Sequence, residues 1–301
     1  MSGFAELIDE TLAAELTKRI VPLSVDALAA RLTPLTMDLR QRVPVAYRGF
    51  PMFRIQPAGE RPLNIRSVGA PPNGSPTAQR LNEPGQTVLY LSDSPATAFA
   101  ERGALPGECC LSEWTTTAGK LLMVNGGIPP EAMLQFFSQN ISEGRDPFPL
   151  TPKDEQILSF LRKIYTFDAD SDRLLYRWSI ACARSNGFSH VCELTGRTEA
   201  NGITQFQGPF PFAAIAYPSV RTDPIALNFA FNDRGRSLVH LNYVQWVRIS
   251  PEGKWEILDF ADRWDAAGDI LWTGKPGFVL KPGARARVIK NSATTWCYDI
   301  D

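Results

Sequence analysis

Residues 79–102 read QRLNEPGQTVLYLSDSPATAFAER and combine a turn, a strand and a helix within one short stretch. Pro84 and Gly85 are turn-forming residues, and the apolar run from Val88 to Leu91 is typical of a short buried strand. Ser94 and Pro95 are typical of a helix start, because serine caps the first turn and proline fits the first helical position. The stretch therefore predicts a strand that leads directly into a helix ending near residue 102.

Further strands and helices are predicted on both sides of this unit. Residues 43–55 form one bent strand or two short ones, interrupted by Gly49 and Pro51. Residues 57–83 form a long loop, either ordered or flexible, of the kind that often carries function. The order of elements predicts an α+β fold, with helices inserted between the two halves of a mostly antiparallel sheet. The other predicted strands are 111–114, 121–124, 213–217, 226–231, 243–249, 255–259 and 285–289, and the other predicted helices are 130–140, 153–164 and 172–185.

Three segments are expected along the chain. Residues 1–42 repeat apolar side chains at helical spacing and form an N-terminal helical segment. Residues 43–240 form the central domain. Residues 241–301 form a β-rich C-terminal extension that packs on the same domain. We expect both flanking segments to be extra core and cap around the central domain, the alternative being surfaces for docking or delivery.

The composition excludes several classes of protein. The chain has 301 residues with 31 basic and 32 acidic side chains, whereas a nucleic-acid-binding protein needs a net basic surface. No apolar run reaches the roughly 18 residues of a membrane span. The first ten residues carry acids where a signal peptide carries lysine or arginine, so we expect a cytoplasmic protein. None of the five cysteines forms a CxxC motif, which favours packing roles in a reducing compartment.

Common catalytic motifs are missing. The sequence contains no P-loop and no GxGxxG after a strand, so the usual phosphate-binding loops are absent. Only two histidines occur, His190 and His240, and neither lies in a motif for nucleophilic catalysis. His190 and Glu193 lie in a predicted strand, where they would face opposite sides, so a structural histidine is favoured over a metal ligand. No metal site is predicted.

Three polar residues stand beside tight turns or strand ends. Arg54 lies between apolar residues of a strand, where it either points to a cleft or extends to the solvent. Glu101 follows small and apolar residues on one helix and is either partly buried or a solvated helix-end charge. Ser219 follows Pro218, which ends a strand and leaves the serine at an opening or on a surface turn.

Together these segments resemble the RES domain family, named for its arginine, glutamate and serine. The stretch from Gly69 to Arg102 is similar to the family's GAPP element, G-R-x-N-x-x-G turn, LYLA strand and T-A-x-x-E helix. The YPSVR sequence at 217–221 is similar to the later serine motif, and the resemblance covers residues 43–235. This chain departs from the pattern at Gln79, where the family has glycine, and at Ser92, where it has alanine.

The resemblance implies an ADP-ribosyltransferase-like split sheet that binds NAD as substrate in the cleft between its halves. Glu101 would then stabilise the positive charge that develops on the ribose. The chemistry needs no metal. Arg54 and Arg80 would bind the pyrophosphate, because arginine binds phosphate oxygens in pairs. The first motif arginine is Arg54 or Arg48, and Arg54 is preferred for its distance from the GAPP element. Ser219 would hold the nicotinamide ribose or amide, and the tyrosines at 90 and 217 would either stack on a ring of NAD or pack in the core.

The resemblance also implies an activity and a partner. Members typically cleave the nicotinamide–ribose bond, as toxins of toxin–antitoxin pairs or as delivered effectors. We therefore expect an NAD glycohydrolase or phosphorylase, since no acceptor surface for ADP-ribosyl transfer is identifiable. An ADP-ribosyltransferase, a catalytically inactive nucleotide-binding module and an unrelated α+β enzyme are the alternatives. A cell that makes such an enzyme needs protection, which predicts an inhibitory antitoxin or immunity protein.

Overall fold

The computed structural model shows a mixed α+β protein. It describes residues 22–37, 44–45, 50–103, 106–116, 121–129, 132, 151–167, 173–186, 188, 196–200, 203–207, 213–222, 226–251, 255–274, 279–280, 286–290 and 296–300. The predicted helix over 130–140 lies outside these residues except for residue 132. The candidate Arg48 lies wholly outside them.

Ten of the described strands form one sheet, in the order β1-β5-β8-β9-β3-β2-β4-β10-β11-β12. Among them only β5 and β8 pair in parallel, which confirms the mostly antiparallel sheet. The remaining four strands form two hairpins, β6 with β7 and β13 with β14. The strands are β1 (Pro44–Val45), β2 (Pro51–Pro57), β3 (Leu89–Ser92), β4 (Gly107–Thr116), β5 (Leu121–Asn125), β6 (Gly196–Ala200), β7 (Ile203–Gln207), β8 (Ala214–Pro218), β9 (Leu227–Phe231), β10 (Val239–Ile249), β11 (Trp255–Ala261), β12 (Val279–Leu280), β13 (Ala286–Lys290) and β14 (Trp296–Ile300).

The helices follow the capping signals of the sequence. The helix after β3 begins at an N-cap serine, Ser94, whose hydroxyl accepts from the Thr97 amide at 3.1 Å. Thr151 and Asp154 form a capping box at the start of another helix. The described helices are α1 (Val25–Met37), α2 (Pro95–Arg102), α3 (Pro152–Tyr165), α4 (Arg173–Ser185) and α5 (Asp233–Arg236).

The large sheet is divided into two halves that meet at one residue pair. One half contains β5, β8, β9 and β3, and the other contains β2, β4, β10 and β11. Strands β2 and β3 are joined only through Phe53 opposite Ser92, whereas β2 pairs with β4 over seven residues from Pro51 to Pro57. The structure therefore has the split sheet that the sequence predicts, and the split lies between β2 and β3.

Different elements cover the two halves. Helices α1, α3 and α4 bury an apolar face of the first half, where Leu161 and Trp178 pack in the same cluster as Ile215 of β8. Helix α2 packs on the second half, where Ala98 shares a cluster with Phe53. Because α2 starts at the end of β3 and packs on β2, it lies along the split.

Two further expectations are resolved by the described residues. The loop after β2 is ordered, since its Ser75 amide donates to the Gln86 carbonyl at 3.1 Å and its Gly85 amide donates to the Ser75 carbonyl at 2.7 Å. Strand β10 runs from Val239 to Ile249 and pairs with β4 along its length. The expected segment boundary at 240 thus falls inside a strand of the main sheet, and the division into segments stays a prediction.

Within the described part of the chain, no helix is long and apolar enough to cross a membrane. Cys109, Cys110 and Cys182 are buried and form no disulfide. Burial raises the pKa of the Cys109 and Cys110 thiols to about 12.

Candidate functional site

Glu101 lies in the last turn of α2, on the face that the helix buries. Thr97 and Ala98 of the same helix are buried, and residues three or four positions apart share a helix face. Glu101 itself is half-buried. Helical spacing therefore turns its side chain inward, towards the ends of β8 and β9, so of the two positions that the sequence leaves open Glu101 has the partly buried one.

One oxygen of the Glu101 carboxylate is held by three donors. Its Oε1 accepts from the Ser219 hydroxyl at 2.5 Å, the Asn228 side-chain amide at 2.8 Å and the Val220 backbone amide at 3.0 Å. Its Oε2 forms no hydrogen bond with any residue that the structure describes. The carboxylate is thus anchored through one oxygen, and the second oxygen is available to a ligand.

The strand register brings these partners together from distant parts of the chain. Tyr217 lies opposite Asn228, Asn228 lies opposite Ser92, and Ser92 lies opposite Phe53 across the split. Directly paired residues present their side chains on the same face of a sheet. Asn228 and Ser92 are accordingly in contact, with the Ser92 hydroxyl donating to Asn228 Oδ1 at 2.7 Å.

Ser219 is buried, with 5% of its surface exposed, so it does not lie on the surface turn that was one of its two expected positions. The ladder continues one step past the proline, because the Ser219 amide donates to the Ala226 carbonyl at 2.7 Å. The hydroxyl then turns to Glu101 and also accepts from the Arg221 amide at 3.3 Å. Burial of this polar group is tolerated because its hydrogen-bonding capacity is used.

Arg54 reaches the split from β2. Its Nη1 donates to the Tyr90 carbonyl at 3.2 Å, a group that a longer β2–β3 ladder would have paired. Burial lowers the pKa of the guanidinium to about 10, with nearby Tyr90 raising it and Arg102 lowering it further. Alternation along β2 places Arg54 on the face opposite Phe53, which packs with α2. Arg54 therefore reaches the split from the face opposite the one on which Phe53 packs with α2, and it forms no hydrogen bond with Glu101.

Arg80 is held by backbone carbonyls at the end of α3. Its Nη1 donates to the Tyr165 carbonyl and, at 3.1 Å, to the Phe167 carbonyl. The guanidinium carbon lies 4.9 Å from the centre of the Phe167 ring, within range of a cation–π interaction. These contacts give Arg80 a structural role, whatever it does with a ligand.

Tyr90 and Tyr217 are buried and interact electrostatically with Arg80, and Tyr217 also interacts with Glu101. The Tyr90 hydroxyl donates to Asn82 Oδ1 at 2.8 Å and accepts from the Leu81 amide at 3.1 Å. Burial raises the pKa of Tyr217, Arg80 lowers it, and Glu101 raises it. Burial likewise raises the pKa of Tyr90 well above its usual value. The Tyr217 ring packs in the core under α1, α3 and α4. Core packing was the predicted alternative to stacking on a ring of the ligand.

The structure joins two of the predicted site residues directly, Glu101 and Ser219. It places Arg54 and Tyr90 in contact at the split, and it links Arg80 to them only through the electrostatic interactions of the tyrosines. The sequence analysis missed Asn228 and Ser92. Ser92 could have been suspected, because a hydroxyl stands where the family pattern has alanine, in a strand leading to α2.

Among the described residues, no group of three or more His, Cys, Asp or Glu side chains is arranged to hold a metal ion. The polar groups around Glu101 are hydroxyls, amides and one further backbone N–H. These donors are bonded to Glu101 or to Asn228, so the group left for a ligand is the acceptor Oε2, which suits a hydroxyl or N–H donor such as those of a ribose or an amide.

Among the comparisons with known proteins, only the one with solved structures finds matches. No protein-family model matches the chain. No curated protein matches it. One solved structure that it matches is a chain of the M. tuberculosis MbcT-MbcA toxin-antitoxin complex, with a TM-score of 0.36 and 11% sequence identity. The match covers 72% of this chain and 92% of that chain.

Proposed function

We propose that this protein is an NAD-consuming enzyme that cleaves the nicotinamide–ribose bond. The observation that carries the proposal is the anchored Glu101 carboxylate at the sheet split, with Ser219 and Asn228 on one oxygen and no described partner on the other. The order of the RES-like motifs in the sequence supports the same activity.

Cleavage of this bond creates charge where a carboxylate helps. The C–N bond breaks with its electron pair going to the nicotinamide nitrogen, so neutral nicotinamide leaves and positive charge develops on the ribose ring. The transition state is like that of glycoside hydrolysis. The oxygen of water or phosphate then bonds to the ribose carbon, and water releases its proton to the solvent. The free oxygen of Glu101 would stabilise the positive ring or hold the ribose hydroxyls.

The other candidates have roles that follow from their donors. Arg54 and Arg80 would bind the pyrophosphate, since several N–H groups of a guanidinium remain after one nitrogen has bonded to backbone carbonyls. Arg48 is an alternative for the first of these positions. Tyr90 would contact a ring of NAD, and Ser219 would act on the ribose through Glu101, whose carboxylate it holds.

The test is release of free nicotinamide from NAD by the purified protein, measured with and without phosphate. We expect release by the wild-type protein. We expect Glu101→Gln to lower the rate by about 10²- to 10³-fold, as removal of one preorganised transition-state contact does. Glu60→Gln, at an exposed loop position, is the matched control and should keep the wild-type rate. No release by the wild-type protein under either condition would contradict the proposal.

The same assay also tests for ADP-ribosyl transfer and for an inhibitory partner. ADP-ribosyl transfer also releases nicotinamide, so labelled NAD distinguishes it by leaving label on protein. An inhibitory partner, expected for an enzyme that depletes NAD, would suppress release when added. Toxin or effector status follows only from the activity together with that partner.

A further inference from the structure

We propose that Asn228, oriented by Ser92, is a positioning residue for Glu101, and this inference rests on the proposed NAD-cleaving activity. Neither residue belongs to the predicted arginine, glutamate and serine set. Both are buried, at 4% and 5% exposure, in adjacent strands of the half-sheet beside the split.

The chemistry of the two contacts fixes the orientation of the Asn228 amide. An ionised carboxylate only accepts hydrogen bonds, so the atom facing Glu101 Oε1 must be Nδ2, which lies at 2.8 Å. The Oδ1 atom then faces Ser92 and can only accept, which makes the Ser92 hydroxyl, at 2.7 Å, the donor. The two hydrogen bonds therefore run in one direction, from the Ser92 hydroxyl to Asn228 and from the Asn228 amide to Glu101.

The consequence for Glu101 is a fixed side-chain rotamer. Ser219 and Val220, which directly follow β8, donate to Oε1, and Asn228 donates to it from β9. Donors from these two segments leave the carboxylate little freedom to rotate, so Oε2 is held in one direction. A preorganised charge stabilises a transition state without reorganising during the reaction. Asn228 therefore acts on the chemical step through Glu101 and not on NAD binding.

Asn228→Asp is the sharpest test, because it keeps the shape and the acceptor for Ser92 but replaces the donor to Glu101 by an oxygen. We expect kcat for nicotinamide release at pH 7.5 to fall by about 10- to 100-fold, the effect of losing one hydrogen bond to a charged group. We expect KM for NAD to change less than about two-fold. We also expect kcat to recover partly as the pH is lowered towards 5, because protonation of the introduced carboxyl restores a donor.

Two further variants separate positioning from folding. Asn228→Leu should lose as much kcat at pH 7.5 without recovering at low pH, because leucine cannot donate at any pH. Ser92→Ala should lower kcat by a smaller factor, about 3- to 10-fold, because the amide keeps its donor but loses its fixed orientation. Ser75→Ala is the matched control, a buried serine that donates to the Thr77 carbonyl outside the site, and should keep the wild-type kcat.

The outcomes distinguish this inference from the proposed function. A wild-type protein that releases no nicotinamide overturns the proposed function and the inference with it. A wild-type protein that releases nicotinamide, while Asn228→Asp stays within two-fold of its kcat at pH 7.5, overturns the inference alone. Equal losses in Asn228→Asp and Asn228→Leu at every pH also overturn it, because they would mark a purely structural residue.

Discussion

The two oxygens of Glu101 have different surroundings, and this difference gives the residue its chemical character. Oε1 takes three hydrogen bonds from side chains and backbone, so the carboxylate is held without a cationic partner among its described contacts. A bound arginine or lysine would neutralise the charge that an oxocarbenium-like transition state needs. Neutral donors anchor the group and leave its charge available to a substrate.

A substitution of Arg80 tests whether this residue has a structural role, a ligand-binding role or both. Arg80 bonds to two carbonyls at the end of α3 and is also predicted to bind pyrophosphate. Arg80→Lys keeps the positive charge but loses the planar set of donors. We expect the free energy of unfolding to fall by about 1–3 kcal/mol, the effect of losing hydrogen bonds to a charged group, and KM for NAD to rise.

Urea denaturation gives the first quantity and steady-state nicotinamide release gives the second. Arg66→Lys, at an exposed position of the preceding loop, is the control and should change neither. Lower stability with an unchanged KM would show that Arg80 is structural only and would contradict its predicted ligand role.

The strand-to-helix unit of β3 and α2 was predictable because its signals are local. The apolar run and the Ser94–Pro95 cap lie within a few residues of the elements that they specify. The inward direction of Glu101 followed from helical spacing. Its contact with Asn228 could not be predicted, because it depends on the register of β3 against β9. Ser92 and Asn228, which this register pairs, are 136 residues apart in the sequence. The carbonyl partners of Arg80 were missed for the same reason.

The ordered loop that carries Arg80 and Asn82 depends on close backbone packing at Gly74. Gly74 has a φ of +74°, and a Cβ added to it would lie 2.1 Å from the Gly85 carbonyl oxygen. We expect Gly74→Ala to destabilise the protein by the backbone strain of a left-handed alanine, about 1–2 kcal/mol, plus about 1–3 kcal/mol for the overlap. Gly85→Ala is the matched control, since its φ is +83° and its Cβ would meet nothing within 4 Å.

Urea denaturation of both variants measures the difference. Gly85→Ala should show only the strain, about 1–2 kcal/mol. Equal losses in the two variants would mean that the loop moves away from the overlap without cost, and would contradict the close packing of these two turns.

The split sheet explains why one site can draw on so many segments. Apolar packing covers both halves, and one cluster joins Met52 of β2 to Leu91 of β3 and Phe229 of β9 across the split. The single pair of Phe53 and Ser92 then leaves backbone and side-chain polar groups at the junction. Polar groups at a junction bordered by apolar core are a natural place for a ligand rich in hydrogen-bonding groups.

The buried thiols make the stability of the whole fold sensitive to alkaline pH. Burial raises the pKa of Cys109 and Cys110 to about 12 from 9.0, and it raises that of Cys182 further. The unfolded chain releases these protons near pH 9 while the folded protein keeps them. Their contribution is therefore complete below pH 9 and is lost as the pH rises towards 12. Each group contributes a slope of about 1.4 kcal/mol per pH unit, so the three together contribute up to about 4 kcal/mol per unit.

We expect the free energy of unfolding, measured by urea denaturation with a reductant, to fall steeply between pH 9 and 10. Arg54 has the opposite sign, because its pKa is lowered in the folded protein, but it acts only above pH 10. The buried tyrosines add to the loss from pH 10 upwards. Replacing Cys109 and Cys110 by alanine should therefore reduce the slope between pH 9 and 10 by about two-thirds. An unfolding free energy that is the same at pH 8 and pH 10 would show that these thiols are open to solvent. That result would contradict their burial in the folded protein.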